Sequence, residues 1–145
     1  MKKQEILNYI DSNIERITNN TRKNNIKALK NLVNKYLNSN QDYNRVNNIG
    51  DIAEKVVIEY LQATPTSNNF HGDAILKNNE IVEIKCCLNG DSHRVYNSDL
   101  DVYVMAKNGL YFIPKKQVKN LVGKRLTNSD LKTMQPIKTF KDLLK

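Results

Sequence analysis

Asp73, Glu83 and Lys85 are the residues whose types and spacing could do chemistry in this chain. Asp73 opens a short apolar run, Ala74-Ile75-Leu76, which ends in a turn of Lys77-Asn78-Asn79. A second run follows from Glu80 to Leu88, dense in β-formers. Strand side chains alternate faces, so Ile81, Glu83 and Lys85 point one way while Val82, Ile84, Cys86 and Leu88 make an apolar face on the other. A hairpin through the turn folds the first run beside the second and brings Asp73 level with Glu83 and Lys85. Two carboxylates and a strand carbonyl, that of Ile84, suffice to hold a hard divalent cation such as Mg²⁺, with Mn²⁺ as a substitute. Such a cation acidifies bound water and neutralises phosphoryl charge, and a neighbouring lysine can orient the attacking water. That combination suits hydrolysis of a phosphodiester. The same residues also fit a solvated hairpin face on which Glu83 and Lys85 are only neighbours.

The elements that would position these groups are legible around them. A helix over residues 49–62 buries Ile52, Ala53, Val56, Val57, Tyr60 and Leu61 against a sheet. Its Glu54 shares a row with Gly50, Ile58 and Leu61 and not with Lys55 and Glu59, so this carboxylate is either half-buried with a task or held at the helix edge. Before it come two amphipathic helices, one on Ile6, Ile10, Ile14 and Ile17, the other on Ile26, Leu29, Leu32, Val33, Tyr36 and Leu37, with Asn19-Asn20-Thr21 between them as a cap. Arg22, Lys23, Lys27, Lys30 and Lys35 make the second helix basic, which serves nucleic-acid contact or plain solvation equally. A polar connector over 38–48 places Tyr43 and Arg45 where they could touch a phosphate. Residues 63–70, with Pro65, read as a loop, and His71 stands two residues before Asp73.

After the lysine, Val102 to Ala106 and Leu110 to Ile113 form a hairpin on Lys107-Asn108-Gly109, with Asn-Gly suited to a tight primed turn. Pro114 then starts a helix through Gln117, Val118 and Leu121. The rest is irregular up to a short final helix over 139–144. The adjacent Cys86 and Cys87 sit on opposite strand faces, one buried and one partly exposed, and give no zinc site or redox motif.

Ordered along the chain, Glu54, then Asp73, nine intervening residues, and Glu83-Ile84-Lys85 resemble the D…ExK core of the PD-(D/E)XK nuclease superfamily. Residues 92–118 are similar to the strand, hairpin and helix that follow the lysine in its small restriction-type and homing members. Gly72 stands where that pattern has a proline. The resemblance covers about residues 49–118, and its short motifs carry weight through their order. It implies an α/β fold with a restriction-endonuclease-like core, a small mixed β-sheet flanked by helices. It further implies an Mg²⁺-dependent DNA endonuclease, with Asp73, Glu83 and the Ile84 carbonyl as metal ligands, Lys85 positioning water and Glu54 assisting. Arg94 in the polar segment 89–99, and Lys115, Lys116 and Lys119 after the hairpin, are the nucleic-acid contacts it implies. Two-strand cutting implies a homodimer. A Holliday-junction resolvase or repair nicking enzyme shares all these residues, and a non-catalytic nucleic-acid-binding module shares the fold.

Composition sets the outer bounds. With 145 residues and 39% hydrophobic content the chain makes one domain: a basic helical extension over 1–45, a core over 46–122 and a basic tail over 123–145. Lys and Arg outnumber Asp and Glu nine to four in residues 1–45 and nine to two in residues 115–145, but are outnumbered five to nine in residues 46–114. An acidic centre between basic ends suits a protein that holds cations centrally and grips a polyanion on either side. No apolar run spans a membrane and the amino-terminal segment is amphipathic, so the expectation is a soluble, intracellular, cytoplasmic protein without a membrane partner or small-molecule cofactor.

Overall fold

A computed structural model describes residues 1–67, 71–88, 93–94, 99–131 and 134–145, with residues 93 and 94 described by their backbone alone. Three helices come first, α1 (Lys3–Arg16), α2 (Asn20–Tyr36) and α3 (Ile49–Leu61). Their starts follow from capping: the Asn19 side chain accepts from Arg22 N–H and the Asn48 side chain from Asp51 N–H. Gln62 closes α3 in the left-handed conformation, φ 53°.

The strands are β1 (Thr64–Pro65), β2 (Ala74–Ile75), β3 (Ile81–Cys86), β4 (His93–Arg94), β5 (Asp101–Ala106), β6 (Gly109–Ile113), β7 (Arg125–Leu126) and β8 (Lys138–Thr139). Short helices α4 (Lys115–Val118), α5 (Asn128–Leu131) and α6 (Phe140–Leu143) lie among the later strands. The main sheet is open and mixed, in the order β1-β2-β3-β5-β6-β8. Only β3 and β5 run parallel; its other neighbours are antiparallel. A separate two-stranded sheet pairs β4 with β7.

Each face of the main sheet has its own core, as the period-two pattern requires. Val82, Ile84, Cys86, Leu88, Met105 and Leu110 pack against the three long helices. Cys87, Val102, Val104, Tyr111 and Ile113 pack against Val118, Leu126 and Leu131 of the carboxyl-terminal segment. That second layer corrects the expectation of a partly exposed thiol, because Cys86 and Cys87 are both buried, one under each layer.

Other differences are local. Residues 64 and 65 form an edge strand and not a loop, a position that tolerates proline's missing N–H. The β5–β6 hairpin turns on Lys107 and Asn108 alone, since Gly109 already pairs with Ala106. Gly109 is needed for another reason: at φ 141° a Cβ there would lie 2.2 Å from the Lys138 carbonyl oxygen of β8. The helix after Pro114 is a single turn, Lys115–Val118, and continues as the turns Asn120 N–H to Gln117 and Leu121 N–H to Val118, through which Leu121 still packs on the core. In the basic α2, Lys30 pairs with Asp11 at 2.7 Å and Lys35 donates to the Leu143 carbonyl at 2.9 Å, so both are engaged within the fold. Among the described residues, no helix is long and apolar enough to cross a membrane.

Candidate active site

The β2–β3 register pairs Ala74 with Val82 and Ile75 with Ile81; carried one residue further it sets Asp73 opposite Glu83. The Asp73 N–H completes that ladder by donating to the Val82 carbonyl at 2.9 Å. There the ladder ends, because Gly72 turns the chain away at φ 107°. A Cβ on Gly72 would lie 2.4 Å from Ile81 Cγ2 and 3.0 Å from Leu100 Cδ1, so this departure needs glycine on steric as well as conformational grounds.

Ending the ladder leaves the next backbone donor of β3 without a strand partner. The Asp73 carboxylate takes it: Ile84 N–H donates to Oδ2 at 2.8 Å. A strand residue's N–H and C=O project toward the same edge, so the Ile84 carbonyl faces the edge on which Asp73 sits. On the face turned away from the long helices, Lys85 Nζ meets Glu83 Oε2 at 3.2 Å, with side chains 19% and 18% exposed.

Asp73 is clamped from behind. Thr66, a buried residue, donates from Oγ1 to the Gly72 carbonyl at 2.7 Å and from its N–H to the Asp73 carbonyl at 3.2 Å. Arg45 Nη2 in turn donates to the Thr66 carbonyl.

The electrostatics show how crowded this spot is with negative charge. Burial pushes the Glu54 carboxyl up to about 7, aided by Asp73 and Asp51 and opposed by Lys55 and Arg45. Asp73 is raised too, by burial first and by Glu83, against the lowering pull of the Ile84 N–H, Lys85 and Lys55. Asp73 is therefore the link of the site: it acts on Glu54 on one side and feels Glu83 and Lys85 on the other, and Lys55 acts on both Glu54 and Asp73.

No family model, curated protein or solved structure matches this chain. The arrangement thus stands on its own geometry. Among the described residues, no group of three or more His, Cys, Asp or Glu side chains is assembled at metal-holding distances. The register leaves a smaller oxygen set near this spot: the carboxylate of Asp73, that of Glu83 on the neighbouring strand, and the backbone carbonyl of Ile84.

The expected nucleic-acid contacts divide. Lys115, Lys116 and Lys119 are exposed on and after α4. Lys115 also donates its N–H to Asp101 Oδ1 at 2.8 Å, and Asp101 pairs with Val82 in the β3–β5 ladder, which puts this lysine at the Glu83 end of the sheet. Arg94 has its backbone in β4, and its side chain lies outside the described residues. His71 is exposed. Tyr43 is buried, its hydroxyl accepting from the Asn38 N–H at 2.8 Å, so it serves the connector's packing and not a phosphate contact.

Two residues escaped the sequence. Lys55 was expected on the solvated side of α3 with Glu59, yet it is 7% exposed, because the 41–45 connector and β1 fold over that side of the helix. Its spacing from Ile52 and Ile58, three residues either way, was the available signal. Thr66 had none, since its role comes from the turn at Gly72.

Proposed function

We propose that the protein is a metal-dependent endonuclease that hydrolyses DNA phosphodiester bonds, built on a restriction-endonuclease-like core and of the restriction or homing kind. The observation that carries this reading is the Asp73 carboxylate bonded to the Ile84 N–H at 2.8 Å, directly across from a Glu83–Lys85 pair. A D…ExK motif reads the same way when its two strands meet in this register. The half-buried Glu54 supports it from the helix, at the place the resemblance assigns to an upstream glutamate.

The residues fit a hard cation. Hard cations take oxygen donors, and the donors at hand are the Asp73 carboxylate and the Ile84 carbonyl at one strand edge and the Glu83 carboxylate on the adjoining face. The burial and the Glu83 charge that raise the proton affinity of Asp73 are offset by a positive charge beside it. Asp73, Glu83 and the Ile84 carbonyl would hold Mg²⁺ or Mn²⁺, which when bound supplies an acidified water and neutralises charge on the phosphoryl group.

The chain's own groups do the rest. Lys85 Nζ orients the attacking water and donates to charge that builds on the phosphate; Glu83, at 3.2 Å, fixes where that ammonium points. Asp73 is locked by the Ile84 N–H and by the Thr66 contacts behind it, so little reorganisation is left for the reaction. Glu54, which exchanges its proton near neutrality, holds or releases a proton at its carboxyl beside Asp73. The exposed Lys115, Lys116 and Lys119, with Arg94, grip the DNA backbone, and a homodimer supplies the second site for the other strand.

The test is incubation with plasmid, linear duplex and four-way junction in Mg²⁺ and in EDTA, for the wild type and Lys85→Ala. Mg²⁺-dependent cuts by the wild type are expected, with Lys85→Ala losing cleavage while retaining DNA binding. Discrete fragments from duplex mark a sequence-reading enzyme, and preference for the junction marks a resolvase. Equal cutting by Lys85→Ala, or none by the wild type on any substrate, overturns the proposal.

A further inference from the structure

Beside the carboxylates lies a cleft of about 320 Å³ between the 41–45 connector, α3 and β1, lined among others by Arg45, Lys55, Glu59 and Thr64. Lys55 is its anomaly. The residue is 7% exposed, and its ammonium makes no hydrogen bond or ion pair with any described residue. Glu54 and Asp73 feel its charge, but a buried ammonium with no direct hydrogen-bond acceptor is still costly to keep. Nor is it sealed off: among the described residues the only fully buried side-chain nitrogen or oxygen without a partner is Asn128 Oδ1, so the Lys55 ammonium meets solvent, and it does so in the cleft it lines.

Arg45 adds a second cation in a strained setting. Its φ of 57° is left-handed without being glycine, and its guanidinium is anchored on the Thr66 carbonyl, one residue past the lining. The negative groups of the lining are already engaged. Asp42 accepts from the amino terminus at 2.7 Å, and Glu59 faces the Tyr43 hydroxyl. Within the lining, Arg45 and Lys55 then stand against Glu59 alone, with Glu54 and Asp73 near enough behind them to feel Lys55.

We propose that this cleft is an anion subsite which takes a phosphate of the nucleic-acid strand adjacent to the one at Asp73 and Glu83, with Lys55 as its principal contact and Arg45 beside it. The identity of the anion rests on the nuclease reading above; the presence of an anion subsite rests on Lys55 and the cleft alone. Lysine serves here as a compact point charge, which suits a phosphate approached from one side. A strand lying along this face would carry one phosphate past Lys55 while its neighbour meets the carboxylates. Lys55 therefore acts in binding and register, not in the chemical step.

The test uses inorganic phosphate as the probe, titrated in EDTA against the full chain while backbone amide shifts of residues 43, 45, 63 and 64 are followed by NMR. Wild type and Lys55→Arg should show saturable shifts at these positions, and Lys55→Met should not. In Mg²⁺, Lys55→Met should raise the KM for duplex roughly tenfold while kcat changes by less than about threefold, and should lower the salt dependence of binding by about one ion. Duplexes ended in 5′-phosphate or 5′-hydroxyl identify the source: equal affinity means an internal phosphodiester, and tighter binding of the phosphorylated end a terminal phosphate. Wild-type amides that do not respond to phosphate overturn the subsite, and this holds even if Lys55→Met does not fold. So does a folded Lys55→Met that responds like the wild type. A wild type that binds phosphate but cuts no DNA removes the nuclease reading and leaves the subsite.

Discussion

Glu54→Gln should make the protein more stable at neutral and alkaline pH, and the size of the gain follows from the site. In the folded state the Glu54 carboxyl is raised from 4.5 to about 7, by burial first and then by Asp73. Raised proton affinity means the folded chain favours the protonated form, so the stability linked to this group is complete below pH 4.5 and is lost as pH climbs through about 7. At about 1.4 kcal/mol per unit, the full shift would correspond to roughly 3 kcal/mol. Glu54 keeps contact with solvent, so screening reduces this to about 1–2 kcal/mol. Glutamine has the same shape and no proton to lose. Urea unfolding midpoints at pH 5 and pH 8 in EDTA should show the wild type losing that amount relative to Glu54→Gln. The Asp73 charge is one of the causes that raise Glu54, so Asp73→Asn should shrink the difference. Adding Mg²⁺ at pH 8 should restore part of the wild type's stability and do less for the variant, because a cation relieves the same repulsion. Parallel pH profiles for wild type and Glu54→Gln would refute the claim that this carboxylate is held in a half-buried, negatively charged setting.

Two further perturbations test how Asp73 is held. Gly72→Ala should destabilise the fold by roughly 2–4 kcal/mol, read from chemical unfolding, because its Cβ meets Ile81 Cγ2 at 2.4 Å in a backbone conformation with φ 107°. Thr66→Val should cost about 1–2 kcal/mol by leaving the Gly72 carbonyl without the donor that reaches it at 2.7 Å, and should speed amide exchange at Ile84 as Asp73 loosens.

The elements with strong periodicity were readable in the sequence because each buries one face and nothing else competes. The three long helices, the β3 alternation and the β5–β6 hairpin arise this way, and the register that sets Asp73 across from Glu83 follows from the hairpin length. What sequence hid depends on distant chain. Cys87 reads as half-exposed until Leu126 and Leu131 arrive from the carboxyl-terminal segment to cover it. Lys55 reads as solvated until the connector and β1 close over α3. Two-residue strands such as β1 and β8 have too few residues to show a period, so only their partners reveal them. Gly72 and Gly109 are alike in composition, yet one ends a ladder and the other admits a neighbouring strand's carbonyl, a distinction fixed by what lies 2–3 Å away.

The location of the site follows from the uneven coverage of β3. Helices cover one face along its whole length, burying Val82, Ile84 and Cys86. The carboxyl-terminal layer covers the other face at Cys87 and leaves Glu83 and Lys85 partly open. At that open stretch the neighbouring ladder also ends, because Gly72 turns β2 aside after one more residue. A sheet normally satisfies its backbone with the next strand; here a carboxylate does so, and in doing so it stands beside Glu83 and Glu54. Moving the turn by one residue would send Asp73 to the opposite face and part it from Glu83 and Lys85. The chemistry proposed for the protein therefore depends on a steric fact about one glycine as much as on the acids and the lysine themselves.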